Sequence, residues 1–165
     1  MNLHVRSFLA TTSLSVLGVA GLTTGAHAAP GSCVVTAGVT QNATTVTGTP
    51  GNDTIDCTGA SSGKKITGKA GNDTITGTPF ADKIKGGAGN DTLTGGAGND
   101  RLKGGPGNNT ITGSAGNDHL KGGSADDILS GGAGNDRLKG GGGVNTADGG
   151  TGTDTCRQAT PTNCE

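Results

Sequence analysis

Nine aspartates recur on one register in this chain: Asp53, Asp73, Asp82, Asp91, Asp100, Asp118, Asp127, Asp136 and Asp154. Asn109 and Asn145 fall on the same register, and Lys64 is its one basic member. Carboxylates stacked by a regular fold repel one another, by up to about 3 kcal/mol per pair at about 5 Å and an effective dielectric of about 20. A hard cation with oxygen ligands reverses the sign of that interaction. The plain alternative for any single member is an Asx-turn residue that bonds its own backbone. Catalytic chemistry finds no support. Gly59-Ala60-Ser61-Ser62-Gly63 spells a nucleophile elbow, yet it falls in a turn with no strand-to-helix layout around it. Gly63 to Lys69 spells a phosphate-loop pattern, but Ala70 stands where Ser or Thr would hold Mg²⁺. No H-E-x-x-H occurs, His4 and His27 lie in the first 28 residues, and His119 is expected outward on a strand.

The elements that position these residues follow from a nonapeptide repeat. GGAGNDTLT (86–94) and GGAGNDRLK (95–103 and 131–139) are near copies, and blocks beginning at 48, 59, 68, 77, 86, 95, 104, 113, 122, 131, 140 and 149 make twelve. Cys57-Thr58 is the one insertion between them. Positions one to six are rich in Gly and end in Asn-Asp, which reads as a turn. Positions seven to nine read polar–aliphatic–polar, a three-residue strand with one side chain inward. The inward series is Ile55, Ile66, Ile75, Ile84, Leu93, Leu102, Ile111, Leu120, Leu129, Leu138, Ala147 and Cys156. Two blocks make an 18-residue coil, and six coils at about 4.8 Å form a roll about 29 Å long. The composition agrees: 35 Gly in 165 residues, two Phe, no Tyr or Trp, and 29% apolar residues. Five Pro and no three-residue Gly period exclude collagen. One aliphatic side chain per nine residues cannot by itself offset the entropy of ordering them.

GGAGNDRLK fits GGxGxDxUx, so residues 48–157 resemble the RTX family of calcium-binding nonapeptide repeats. The resemblance implies an all-β fold, a right-handed parallel β-roll (β-solenoid) of 18 residues per coil and about six coils. It further implies several Ca²⁺ ions between successive turns, held by position-six side chains 18 residues apart and by turn carbonyls. Alternate blocks then form two columns. One carries Lys64, Asp82, Asp100, Asp118, Asp136 and Asp154; the other carries Asp53, Asp73, Asp91, Asn109, Asp127 and Asn145. Lys64 should abolish a site and act as a cap, and each Asn should weaken the sites it borders. Phe80, in place of the fourth-position Gly, should distort the turn before Asp82. Without the ion the chain should be largely disordered, so that binding and folding are one event. Many family members carry an enzyme or toxin domain and a C-terminal export signal; neither is read here, and the protein is expected to be non-catalytic.

The ends read differently from the repeat. Residues 1–28, with Arg6, an apolar run from Phe8 to Ala20 and Ala26-His27-Ala28, read as a cleaved secretory signal, so an extracellular location is expected. Residues 29–47 form an N-terminal cap with a degenerate first rung at Val46-Thr47, and residues 158–165 form a tail. Cys33, Cys57, Cys156 and Cys164 allow three pairings, or free thiols; their placement at the two ends favours 33–57 with 156–164. Formal net charge is −1, which gives no bias toward nucleic acid or a membrane surface, and a monomer is expected. Net charge conceals two different strand faces. One presents Lys83/Lys85, Arg101/Lys103, His119/Lys121 and Arg137/Lys139, a candidate docking surface for an anionic extracellular polymer, as in a calcium-dependent adhesin or cell-wall-binding module. The other presents Thr74/Thr76, Thr92/Thr94 and Thr110/Thr112, an array resembling those of ice-binding β-solenoids.

Overall fold

A computed structural model of the protein describes residues 32–162 and Cys164. The expected leader, residues 1–28, lies outside the described residues. The strands near the N terminus are β1 (Val34–Val35), β2 (Thr40–Gln41), β3 (Thr45–Thr47), β4 (Thr54–Asp56), β5 (Lys65–Ala70) and β6 (Thr74–Thr76). The middle strands are β7 (Lys83–Ala88), β8 (Thr92–Ala97), β9 (Arg101–Gly105), β10 (Thr110–Ala115) and β11 (His119–Gly123). The last are β12 (Ile128–Ala133), β13 (Arg137–Gly141), β14 (Thr146–Thr151), β15 (Thr155–Arg157) and β16 (Thr160–Thr162). No helix forms among the described residues.

From β3 to β15 successive strands alternate between two sheets, so each strand pairs in parallel with the strand one coil away. Thr92, Thr110, Ile128 and Thr146 stand side by side in one sheet, and Lys83, Arg101, His119 and Arg137 in the other. The 18-residue offset and the parallel roll of about six coils are therefore as the repeat predicts. Between β4 and β6 the offset is 20, because Cys57-Thr58 is looped out, and Ile55 still meets Ile75. The strands are longer than the three residues expected. Several run six residues, since the backbone of positions one to three stays in the ladder, as where Ser114 and Ala115 face Gly132 and Ala133.

Two single files of aliphatic side chains make the core. Val46, Ile66, Ile84, Leu102, Leu120 and Leu138 stack beneath one sheet, and Ile55, Ile75, Leu93, Ile111, Leu129 and Ala147 beneath the other, none more than 2% exposed. Full burial of one such large side chain contributes about 1.5–3 kcal/mol. The N-terminal end is closed by antiparallel pairing of β1 on β4 and of β2 on β3. A disulfide joins Cys33 to Cys57, in the looped-out insert, and a second joins Cys156 to Cys164. The tail does more than hang from its disulfide: β16 adds to β14 and covers the end of that sheet.

Candidate metal centre

Each turn delivers its sixth residue inward between two sheets, and every residue of the predicted series lands in one of two stacked columns. The columns are hydrogen-bonded ladders. The Asp73 N–H donates to Asp91 Oδ1 (2.9 Å), Asp91 to Asn109 (3.0 Å), Asn109 to Asp127 (2.9 Å) and Asp127 to Asn145 (2.9 Å). In the other column Asp82 donates to Asp100 (2.7 Å), Asp100 to Asp118 (2.8 Å), Asp118 to Asp136 (2.7 Å) and Asp136 to Asp154 (2.7 Å). Asp53 and Lys64 start the ladders by donating to Asp73 and Asp82. Each main-chain donor thus fixes one oxygen of the carboxylate in the next coil, and with it the direction of the other.

That second oxygen is the chemically informative atom. Oδ2 of Asp73, Asp91, Asp100, Asp118, Asp127, Asp136 and Asp154 is buried with no hydrogen-bond partner. Seven orphaned oxygens are a large desolvation cost unless a positive group meets them. Burial pushes the Asp100 carboxyl up to about 7 and those of Asp73 and Asp118 up to about 6, with neighbouring carboxylates adding to each shift. Burial likewise raises Asp91, Asp127 and Asp136.

Around the orphaned oxygens the backbone is bare. A Cβ built on Gly113 would lie 2.2 Å from Asp118 Oδ2 and 2.6 Å from the Gly131 carbonyl oxygen; one on Gly122 would lie 2.2 Å from Asp127 Oδ2 and 2.7 Å from the Gly140 oxygen. Carboxylate and carbonyl oxygens therefore converge on space that only glycine leaves open. No group of three or more His, Cys, Asp or Glu side chains able to hold a metal forms among the described residues, so a cation here would take many of its ligands from carbonyls. Oxygen-only, partly main-chain coordination suits Ca²⁺ and does not suit zinc or copper. The residues present fit the ion.

Five members of the register are served differently. Thr49 donates to Asp53 through its N–H (2.6 Å), and Thr78 to Asp82 likewise (2.6 Å), with each threonine hydroxyl also at hydrogen-bond distance from the carboxylate. Asn109 Nδ2 donates to the Gly107 carbonyl (2.9 Å) and to Asp127 Oδ1 (2.9 Å), and Asn145 Nδ2 to the carbonyls of Gly142 (3.0 Å) and Gln158 (3.2 Å). Lys64 is buried, and its ammonium donates to the Ala43 carbonyl in the capping turn (2.6 Å). Phe80 is 46% exposed, and its turn leaves Asp82 within the ladder. What sets Asp82 apart is Thr78.

A second ladder escaped the sequence reading. Position-five side chains accept from the following coil, opposite in direction to position six: Asn90 donates its N–H to Asn72 Oδ1 (2.8 Å), Asn108 to Asn90 (2.8 Å) and Asn135 to Asn117 (2.7 Å). The recurring Asn before Asp is the signal in the sequence, and turn propensity accounts for it equally well. Elsewhere, Ser61 and Ser62 lie in a bend, and His119 is exposed on a strand, as the repeat register expects. The Thr array is in register and broken by exposed Ile128.

A family model described as the RTX calcium-binding nonapeptide repeat, four copies long, matches residues 40–56, 67–102, 94–129, 103–138 and 121–156. No curated protein matches the chain.

Proposed function

The chain belongs to the RTX calcium-binding nonapeptide repeat family, and from that premise we propose that it is an exported, non-catalytic protein whose roll folds as it binds several Ca²⁺ ions. The observation that carries this reading is the set of seven buried carboxylate oxygens without a donor. When bound, Ca²⁺ supplies positive charge and takes six to eight oxygen ligands. The chain's own part is orientation. Asp73, Asp91, Asp100, Asp118, Asp127, Asp136 and Asp154 offer Oδ2 while the preceding coil holds Oδ1, and the glycine turns keep carbonyl oxygens uncovered. Asn109 and Asn145 lower the charge at the sites they border. Two disulfides accord with an oxidising compartment, as export through the leader-like residues 1–28 would provide.

The test is circular dichroism of the full chain in chelator and after calcium is restored. A β-sheet signal that rises with calcium is expected; the same signal in both conditions would overturn coupled folding.

A second reading rests on the basic sheet. Lys83, Arg101, His119 and Arg137 are adjacent across strands, as are Lys85, Lys103, Lys121 and Lys139. Like charges directly opposite one another oppose sheet formation, and a linear polyanion lying along the roll axis would offset that repulsion. We assign this face to an acidic polysaccharide. Calcium-loaded protein should bind polygalacturonate, and neutralising Arg101, Lys103, Arg137 and Lys139 together should abolish binding while the β-sheet signal stays. Undiminished binding by that variant would remove the reading.

A further inference from the structure

We propose that the roll is divided along its axis into a metal-independent N-terminal part and a calcium-dependent remainder, and that Thr49 and Thr78 set the division. The proposal rests on the calcium reading above and assigns which turns take the ion and which do not.

The two threonines occupy the same place in the same local sequence, Gly48-Thr49-Pro50 and Gly77-Thr78-Pro79. At that second position Lys69 (φ 99°), Gly96 (φ 113°) and Gly132 (φ 110°) adopt the left-handed region, whereas neither threonine has a positive φ. The residue before proline is held in extended backbone, and in these turns its N–H points into the loop, 2.6 Å from Oδ2 of the sixth residue in both cases. The hydroxyl then completes the arrangement. Thr49 Oγ1 lies 3.2 Å from each oxygen of Asp53, and Thr78 Oγ1 lies 3.0 and 3.2 Å from those of Asp82. Each hydroxyl is itself oriented by a main-chain donor two residues on, Gly51 at 3.1 Å and Phe80 at 3.0 Å. Thr36 adds a donor to Asp53 at 3.0 Å. Both carboxylates are as deeply placed as the others, at 3% and 4% exposure, yet neither keeps an orphaned oxygen. The threonine supplies donors where a cation would supply charge.

The placement of these turns is not scattered. Asp53 is the first member of its column; in the other column Lys64 is first and Asp82 second. The Lys64 ammonium is a tethered cation that already serves a carbonyl of the capping turn. The same end holds the Cys33–Cys57 disulfide and both antiparallel cap pairings. From Cys33 to Lys85 the one orphaned carboxylate is Asp73; beyond it lie Asp91, Asp100, Asp118, Asp127, Asp136 and Asp154. Apart from Asp73, the N-terminal part has its donors built in, and the fold can extend from it coil by coil as ions bind.

Hydrogen exchange of the full chain, read segment by segment, tests this. In chelator, amides of Thr45–Thr47, Thr54–Asp56 and Lys65–Ala70 should remain protected while those of Thr110–Ala115 and Arg137–Gly141 exchange freely; calcium should protect all of them. Thr49→Val with Thr78→Val should lower N-terminal protection in chelator about tenfold or more, the scale of a lost hydrogen bond to a charged group. Thr49→Ser with Thr78→Ser should retain it, since the hydroxyl is kept. Uniform exchange in chelator with uniform protection in calcium would overturn the division and leave the calcium reading intact. Uniform protection in both conditions would overturn the calcium reading as well. Unchanged protection in the valine variant would remove the threonines from the account.

Discussion

At the scale of single residues, the distinction that matters is between the two oxygens of each position-six carboxylate. Oδ1 is a structural acceptor in the ladder, and Oδ2 is the atom without a partner in seven turns. A pH dependence follows from the burial that raises Asp73 and Asp118 to about 6 and Asp100 to about 7. A carboxyl whose pKa is higher in the fold than its unfolded value of about 3.9 favours the fold below that unfolded value, and the contribution is lost as pH rises through 6 to 7. Chelated protein should therefore gain β-sheet signal on acidification from pH 8 toward pH 4. Calcium affinity should move the opposite way and weaken below about pH 7, because protons compete for the same oxygens; calorimetric titration at two pH values checks it. Asp118→Asn should keep the ladder, as Asn109 does, and bind fewer ions. The position-six series was legible residue by residue in the sequence. The roles of Thr49 and Thr78 were not, because Thr-Pro marks extended backbone but does not say which carboxylate the threonine donors will meet.

At the scale of the element, each turn is a trade between a carboxylate and a missing Cβ. Gly113 shows it directly: an added Cβ would stand 2.2 Å from Asp118 Oδ2. Gly113→Ala should displace that carboxylate, reduce calcium stoichiometry and lower the melting temperature of calcium-loaded protein. Ser114, at φ 92°, shows the converse. A side chain in the left-handed region costs roughly 1–2 kcal/mol, and glycine gives back about 0.4–1 kcal/mol in chain entropy. Ser114→Gly should accordingly stabilise the calcium-loaded roll by up to about 1.6 kcal/mol, measured by thermal unfolding. The strand centres were readable from polar–aliphatic–polar triplets such as Arg101-Leu102-Lys103. Their extension into Gly104 and Gly105 was not, because glycine propensity argues against strand while the neighbouring coil supplies the partners that hold it there.

Across the whole molecule, chain that is not repeat closes both sheets at the N-terminal end and one of the two at the C-terminal end. The Cys33–Cys57 bridge spans 24 residues, and loop-closure entropy makes such a link worth about 3–4 kcal/mol. Replacing both cysteines by serine should abolish N-terminal protection in chelator, and in calcium should lower the melting temperature without removing the β-sheet signal. The amino-acid sequence by itself determined the period, the two columns, the inward aliphatic series and the sorting of basic and threonine faces. It could do so because a translational repeat makes every local choice twelve times over, so that side-chain chemistry and spacing are read from consensus. Tertiary structure alone decided which carboxylates are left without a donor, how the tail becomes a strand, and that Asn72, Asn90 and Asn108 form a second ladder. The second ladder and the tail strand depend on pairing with a neighbouring coil. The donors that separate Asp53 and Asp82 from the other carboxylates depend on the direction the folded turn gives to Thr49 and Thr78.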